Sequence, residues 1–206
     1  MKCKHVLLSL PIVASIFLLT ALSVQAQSDA SRPKIEPSFE AVLQVIVGSN
    51  DTAEGIALPA SLRGVSGALK TNYGFSNYRL YNTLIGRIGN NGTLEYKSVS
   101  SSVGNLADSD TPTFFEWTLG NLNAAANVKG QAAYQATFRF GARVPVKVST
   151  LKDDSGKTFS SVNYEPVGLT VNRLSLTEGT PTLIGSLSLP KTTGTLFLVL
   201  TVHPVE

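Results

Sequence analysis

Apolar and polar residues alternate with a period of two through much of the C-terminal half of this chain. Ala133 to Gly141 sets Tyr134, Ala136, Phe138 and Phe140 against Gln135, Thr137 and Arg139, the pattern of a half-buried antiparallel strand. Val144 to Val148 alternates in the same way, and Lys152 to Lys157 reads as a turn through Asp153, Asp154 and Gly156. Further strands are predicted near Ser161 to Tyr164, Gly168 to Leu176, Thr182 to Leu189 and Thr195 to Val202. The last puts Leu196, Leu198, Leu200 and Val202 on one face and Phe197 and Val199 on the other, as expected of a central strand buried on both sides.

The N-terminal half is less regular. Phe39 to Val47 is a strand candidate with Phe39, Leu43, Val45 and Val47 on one face and Val42 and Ile46 on the other. Pro59 to Tyr73 is the one good helix candidate. Pro59 stands in the first turn, Leu62, Val65, Ala68 and Leu69 recur at helical spacing, and Gly74 follows as a stop, although Gly64 and Gly67 weaken the interior. Asn77 to Ile88 and Thr93 to Ser101 are predicted strands joined through Gly89-Asn90-Asn91-Gly92, where Asn-Gly between β-rich runs predicts a hairpin. Val103 to Pro112 is a loop, Phe114 to Leu119 a short strand, and Asn121 to Lys129 a polar connection.

The first 26 residues change the picture. Lys2 and Lys4 precede an apolar run from Val6 to Leu22, and Val24-Gln25-Ala26 offers small residues before Gln27. These are the parts of a secretory signal peptide. A retained membrane anchor is the competing reading, disfavoured by Pro11 within the run and by the polar, non-basic segment after it. Residues 27–38 read as a flexible lead-in, leaving a single domain over 39–206. The fold class expected is α+β, mainly β, with antiparallel sheets and one helix near the N-terminal end of the mature chain. Within it the pattern divides an N-terminal α/β part (39–101) from a C-terminal β part (112–206).

Cleavage after Ala26 would remove Cys3, Met1 and His5, which include the sole cysteine and methionine, and would leave His203 as the only histidine. Disulfides, thiolate nucleophiles and Cys- or His-rich metal sites are then excluded. A Ser-His-Asp triad would need His203, at the end of a terminal strand, where an imidazole is poorly held. The net charge of +3 would lose the contributions of Lys2 and Lys4, and no basic stripe for nucleic acid remains. No cofactor is implied.

Motifs with chemistry in them are sparse. Gly156-Lys157-Thr158 has Leu151 where a phosphate loop needs glycine. Asp108 with Asp110, and Asp153 with Asp154, lack the further oxygen ligands of a calcium loop and read as turn residues. Neither catalytic nor metal-ligating residues are therefore assigned. An aromatic group, Phe114, Phe115 and Trp117, reads as core, or else Trp117 and Phe114 form a ligand site with Asp108 and Asp110.

One stretch is more specific. Ala136-Thr-Phe-Arg-Phe-Gly-Ala-Arg-Val-Pro-Val146, a polar segment, then Val162-Asn-Tyr-Glu-Pro-Val-Gly-Leu-Thr-Val171 resembles the core of bacterial secretins, the outer-membrane channels of secretion and type IV pilus systems. The resemblance covers roughly a third of the mature chain. It implies structural roles for Phe140, Gly141, Val144, Pro145, Tyr164, Val167 and Gly168. Val171 to Leu196 is too short for both the gate and the lipid-facing hairpins of a full channel, so a short secretin-like relative is expected.

That resemblance implies a non-enzymatic exported protein, periplasmic or associated with the outer membrane, serving a secretion or pilus-type assembly. It would self-associate and bind protein partners of the envelope, without nucleic acid and without a retained membrane helix. The alternative is a soluble β-sandwich binding a small ligand or glycan.

Overall fold

The computed structural model describes residues 37–50, 57–100, 111–128, 130–152, 154–189 and 194–205. The expected signal peptide (1–26), the expected lead-in up to residue 36 and residues 101–110, most of the predicted loop, lie outside them. Two four-stranded sheets account for most of the described chain. In the first, β1 (Ser38–Ser49) lies between β2 (Asn77–Gly89) and β8 (Thr195–Val205), and β7 (Thr182–Ser188) pairs with the far side of β8. In the second, β3 (Thr93–Ser100), β4 (Thr113–Val128), β5 (Gln131–Lys152) and β6 (Thr158–Thr177) follow in chain order. Every neighbouring pair is antiparallel. The fold is thus mainly β with one short helix, and both sheets draw strands from 39–101 and from 112–206.

Alternation within the strands explains why the sheets stack. From the first sheet, Phe39, Ala41, Leu43, Val45 and Val47 of β1 and Leu196, Leu198, Leu200 and Val202 of β8 point into one core. Phe115, Trp117 and Leu119 of β4 and Phe138 and Phe140 of β5 meet them from the second, the arrangement of a β-sandwich. Each large side chain buried in this way contributes about 1.5–3 kcal/mol.

The opposite face of β8 is covered as well, as its uninterrupted apolar run predicts. One 3₁₀ turn, Ala60–Leu62, and helix α1 (Arg63–Tyr73) lay Leu62 from the turn and Val65 and Leu69 from the helix on Ile46, Phe197 and Val199. Gly74 ends the helix at φ 65°, a left-handed conformation that glycine adopts without a Cβ clash. The Tyr78 hydroxyl donates to the Leu69 carbonyl at 2.8 Å, tying the last turn to β2.

Three elements depart from the sequence pattern. The turn at Gly89 to Gly92 forms, with the Gly92 N–H donating to the Gly89 carbonyl at 3.0 Å and Asn91 at φ 57°. It does not make a hairpin, because β2 pairs with β1 and β3 with β4. The Asn90 N–H goes to the Pro37 carbonyl and the Asn91 N–H to the Leu122 carbonyl, so the turn carries the chain from one sheet to the other. Asn121 to Val128, expected to be a connection, continues β4 because Gln135, Tyr134 and Ala133 supply ladder partners for Asn123, Ala124 and Ala125. Finally, the segments on either side of Arg143 and of Pro166 merge into single long strands, 22 residues in β5 and 20 in β6.

Candidate functional site: the outer face of the β3–β6 sheet

The second sheet has an inner face in the core and an outer face without a covering layer among the described residues. Register fixes what that outer face presents. Val99, Phe114, Arg143 and Pro166 form one row across the four strands. Lys97, Glu116, Gly141 and Gly168 form the next, and Glu95, Thr118, Arg139 and Thr170 the third. Side chains in such rows are direct cross-strand neighbours.

The middle row has no side chains on β5 and β6, and the face sinks there into a hollow of about 890 Å³. A Cβ on Gly168 would stand 2.9 Å from the Phe140 carbonyl oxygen, and one on Gly141 would stand 3.1 Å from Oε1 of Glu116. At one end of the hollow Phe114 and Tyr164 reach toward each other from β4 and β6, their ring centroids 5.5 Å apart. Phe114 is 41% exposed and Val99 61%, so the wall is apolar and open to water. Lys97, Glu116, Arg139 and Arg143 line the same hollow. No side-chain hydrogen bond or ion pair joins any of the four to another described residue.

The seven positions singled out by the secretin resemblance fall together on β5 and β6. Gly141 pairs with Gly168, and Pro145 with Tyr164, while Val167 stands opposite Ala142. Phe140 and Val144 are buried in the sandwich core, with Val167 packed against it, whereas Gly141, Tyr164 and Gly168 border the hollow. The β5–β6 ribbon then runs past its neighbour. Phe114 of β4 pairs with Arg143, and beyond that residue β5 continues to Lys152 with β6 as its only partner among the described residues. Val148 and Leu151 are exposed on this extension.

The two described members of the expected ligand quartet, Trp117 and Phe114, lie on opposite faces of β4. Trp117 is 1% exposed and lies in the core, while Phe114, three residues away on an alternating strand, faces outward. Asp108 and Asp110 lie outside the described residues. The cationic and glycine positions of the hollow, Lys97, Arg139, Arg143 and Gly141, could be grouped only once the register across four strands was fixed. A local signal existed in the outward Arg139-x-Gly141-x-Arg143 spacing.

Elsewhere, among the described residues, one titratable group is clearly perturbed. Burial, then a hydrogen bond donated by the Tyr134 hydroxyl to Oε2 of Glu178 at 3.0 Å and the charge of that carboxylate, hold Tyr134 above its ordinary value of 10.0.

No known family's sequence profile matches the chain, and no curated protein matches it. Among solved structures, the secretin domain β-barrel of InvG from the Salmonella SPI-1 injectisome is similar over 94% of this chain and 67% of its own, at 11% identity and a TM-score of 0.30. A near-atomic structure of the same InvG secretin is similar over 95% of this chain and 69% of its own, at 12% identity and a TM-score of 0.22. These values describe a weak resemblance to secretins.

Proposed function

We propose that this chain is a non-enzymatic, exported component of the bacterial envelope, secretin-like, acting in a secretion or pilus-type assembly by self-association and partner binding. The observation that carries this reading is the exposed ribbon edge from Lys147 to Lys152 on β5, which has β6 as its only strand partner among the described residues. An unpaired edge offers alternating N–H and C=O groups to a strand from another chain. Exposed Val148 and Leu151 supply apolar contact beside it. Lys147 and Lys152, both exposed, are of the residue type that keeps such edges from pairing indiscriminately, which suits a specific partner. The sequence resemblance on Phe140 to Val146 and Tyr164 to Gly168 adds the class of assembly, because those residues form the root of this ribbon.

Site-specific cross-linking tests the edge. With Cys3 replaced by Ser, a Leu151→Cys variant treated with a short bismaleimide is expected to give a covalent dimer. A Thr71→Cys variant on the exposed side of α1 is expected to give little. Equal yields from the two positions, or none from Leu151→Cys, would count against association through the ribbon.

A further inference from the structure

We infer that the hollow over Gly141 and Gly168 is a binding site for an amphipathic anion, a ligand with an apolar body and a carboxylate or similar group. It is independent of the ribbon edge, since it lies on the face of the sheet. Its volume of about 890 Å³ falls in the range of small-molecule sites, which are apolar concavities with a few orienting polar groups.

The apolar part is set by Val99, Phe114, Tyr164 and Pro166, which wall one end. Three of these, Val99, Phe114 and Tyr164, are among the large apolar side chains that the described surface leaves exposed. The floor is main chain at Gly168 and at Gly141, where the flexible end of Glu116 lies over it, so a flat body that turns Glu116 aside can approach the sheet closely.

The sign of the ligand follows from the rows. Lys97 and Glu116 are cross-strand neighbours and offset each other's charge. Arg139 stands between Thr118 and Thr170, and Arg143 between Phe114 and Pro166. Neither guanidinium has an acidic neighbour in the adjacent positions of its own row, Glu116 is diagonal to both and Glu95 stands two strands from Arg139, so the one carboxylate of the hollow faces three cations, Lys97, Arg139 and Arg143. Two arginines on one strand face, four positions apart in the sequence, lie about 13 Å apart along the strand and bracket Gly141. A guanidinium offers a planar fork of donors that matches a carboxylate. An elongated anion lying along β5 meets one of them with its charged end while its body covers Gly141 and Gly168 and turns the flexible end of Glu116 aside.

The test uses two fluorescent probes with the same apolar body, 1-pyrenebutyrate and the uncharged 1-pyrenebutanol, titrated against the full chain. Pyrenebutyrate is expected to bind about tenfold more tightly than the alcohol, as one charge-assisted contact gives. The double variant Arg139→Gln, Arg143→Gln, both exposed positions, is expected to bring the two probes to equal affinity. Glu116→Gln, which removes the anion from the hollow, is expected to tighten pyrenebutyrate and leave the alcohol unchanged. Equal affinity of the two probes for the unmodified protein, or pyrenebutyrate binding that survives the double arginine variant, would overturn the assignment. Leu151→Cys cross-linking is unaffected by either result, so the two readings fail separately.

Discussion

Gly141 of β5 stands directly across the ladder from Gly168 of β6, and each is small for a different reason. The missing side chain of Gly168 makes room for main chain, the Phe140 carbonyl oxygen, 2.9 Å from where its Cβ would lie. The space above Gly141 holds the flexible end of Glu116. One glycine is thus fixed by the backbone of the sheet and the other by the shape of the surface above it.

The two should respond differently to alanine. Gly168→Ala is expected to destabilise the fold by about 1–3 kcal/mol, since backbone must shift to admit the methyl group. Gly141→Ala is expected to stay within about 1 kcal/mol of the unmodified protein, because Glu116 can swing aside and the unfolded chain loses entropy. Urea denaturation followed by circular dichroism measures both.

Trp117 separates core from surface in the aromatic group. It is 1% exposed, and its Nε1–H has no acceptor among the described residues. Trp117→Ala is expected to cost about 3–5 kcal/mol, whereas Trp117→Phe, which removes the unpartnered donor and keeps most apolar contact, should cost far less. Chemical denaturation of the two variants gives the comparison.

Tyr134 gives an alkaline signature. Its folded-state value is raised above 10.0, so the folded protein holds its proton where the unfolded chain has released it. The stability this supplies is complete below pH 10 and is lost as the pH rises through the folded value. Denaturation at a series of pH values from 9 upward is expected to show that fall, and Tyr134→Phe to reduce it.

Helix α1 is held by few contacts. Leu69 is fully buried against the outer face of the first sheet, and its carbonyl accepts the Tyr78 hydroxyl. Leu69→Ala is expected to cost about 2–5 kcal/mol. Hydrogen exchange should show amides of α1 opening more readily than those of β1 and β8.

Local pattern carried the fold a long way. The alternation from Tyr134 to Phe140 and the two-sided run from Leu196 to Val202 state which strands are half-buried and which is central. Gly74 marks the end of the helix at the observed residue. The Asn-Gly turn at Asn91 and Gly92 was equally legible as a turn, but its destination depends on Pro37 and Leu122, remote in sequence, which take up its N–H groups. Asn121 to Val128 has no alternation and becomes strand only because β5 lies beside it. The hollow was hidden for the same reason. Lys97, Glu116, Gly141 and Gly168 are spread over four strands, and no window of sequence contains the row they make.

The measurement that tests the central claim most directly is the native mass of the protein by light scattering, on both soluble and detergent-extracted envelope fractions of the producing cells. Association through the β5–β6 ribbon predicts a detergent-extracted species several times the chain mass, reduced toward the monomer by charge on the edge, as in Val148→Lys with Leu151→Lys. A soluble monomer at every concentration, with none in the envelope fraction, would contradict it.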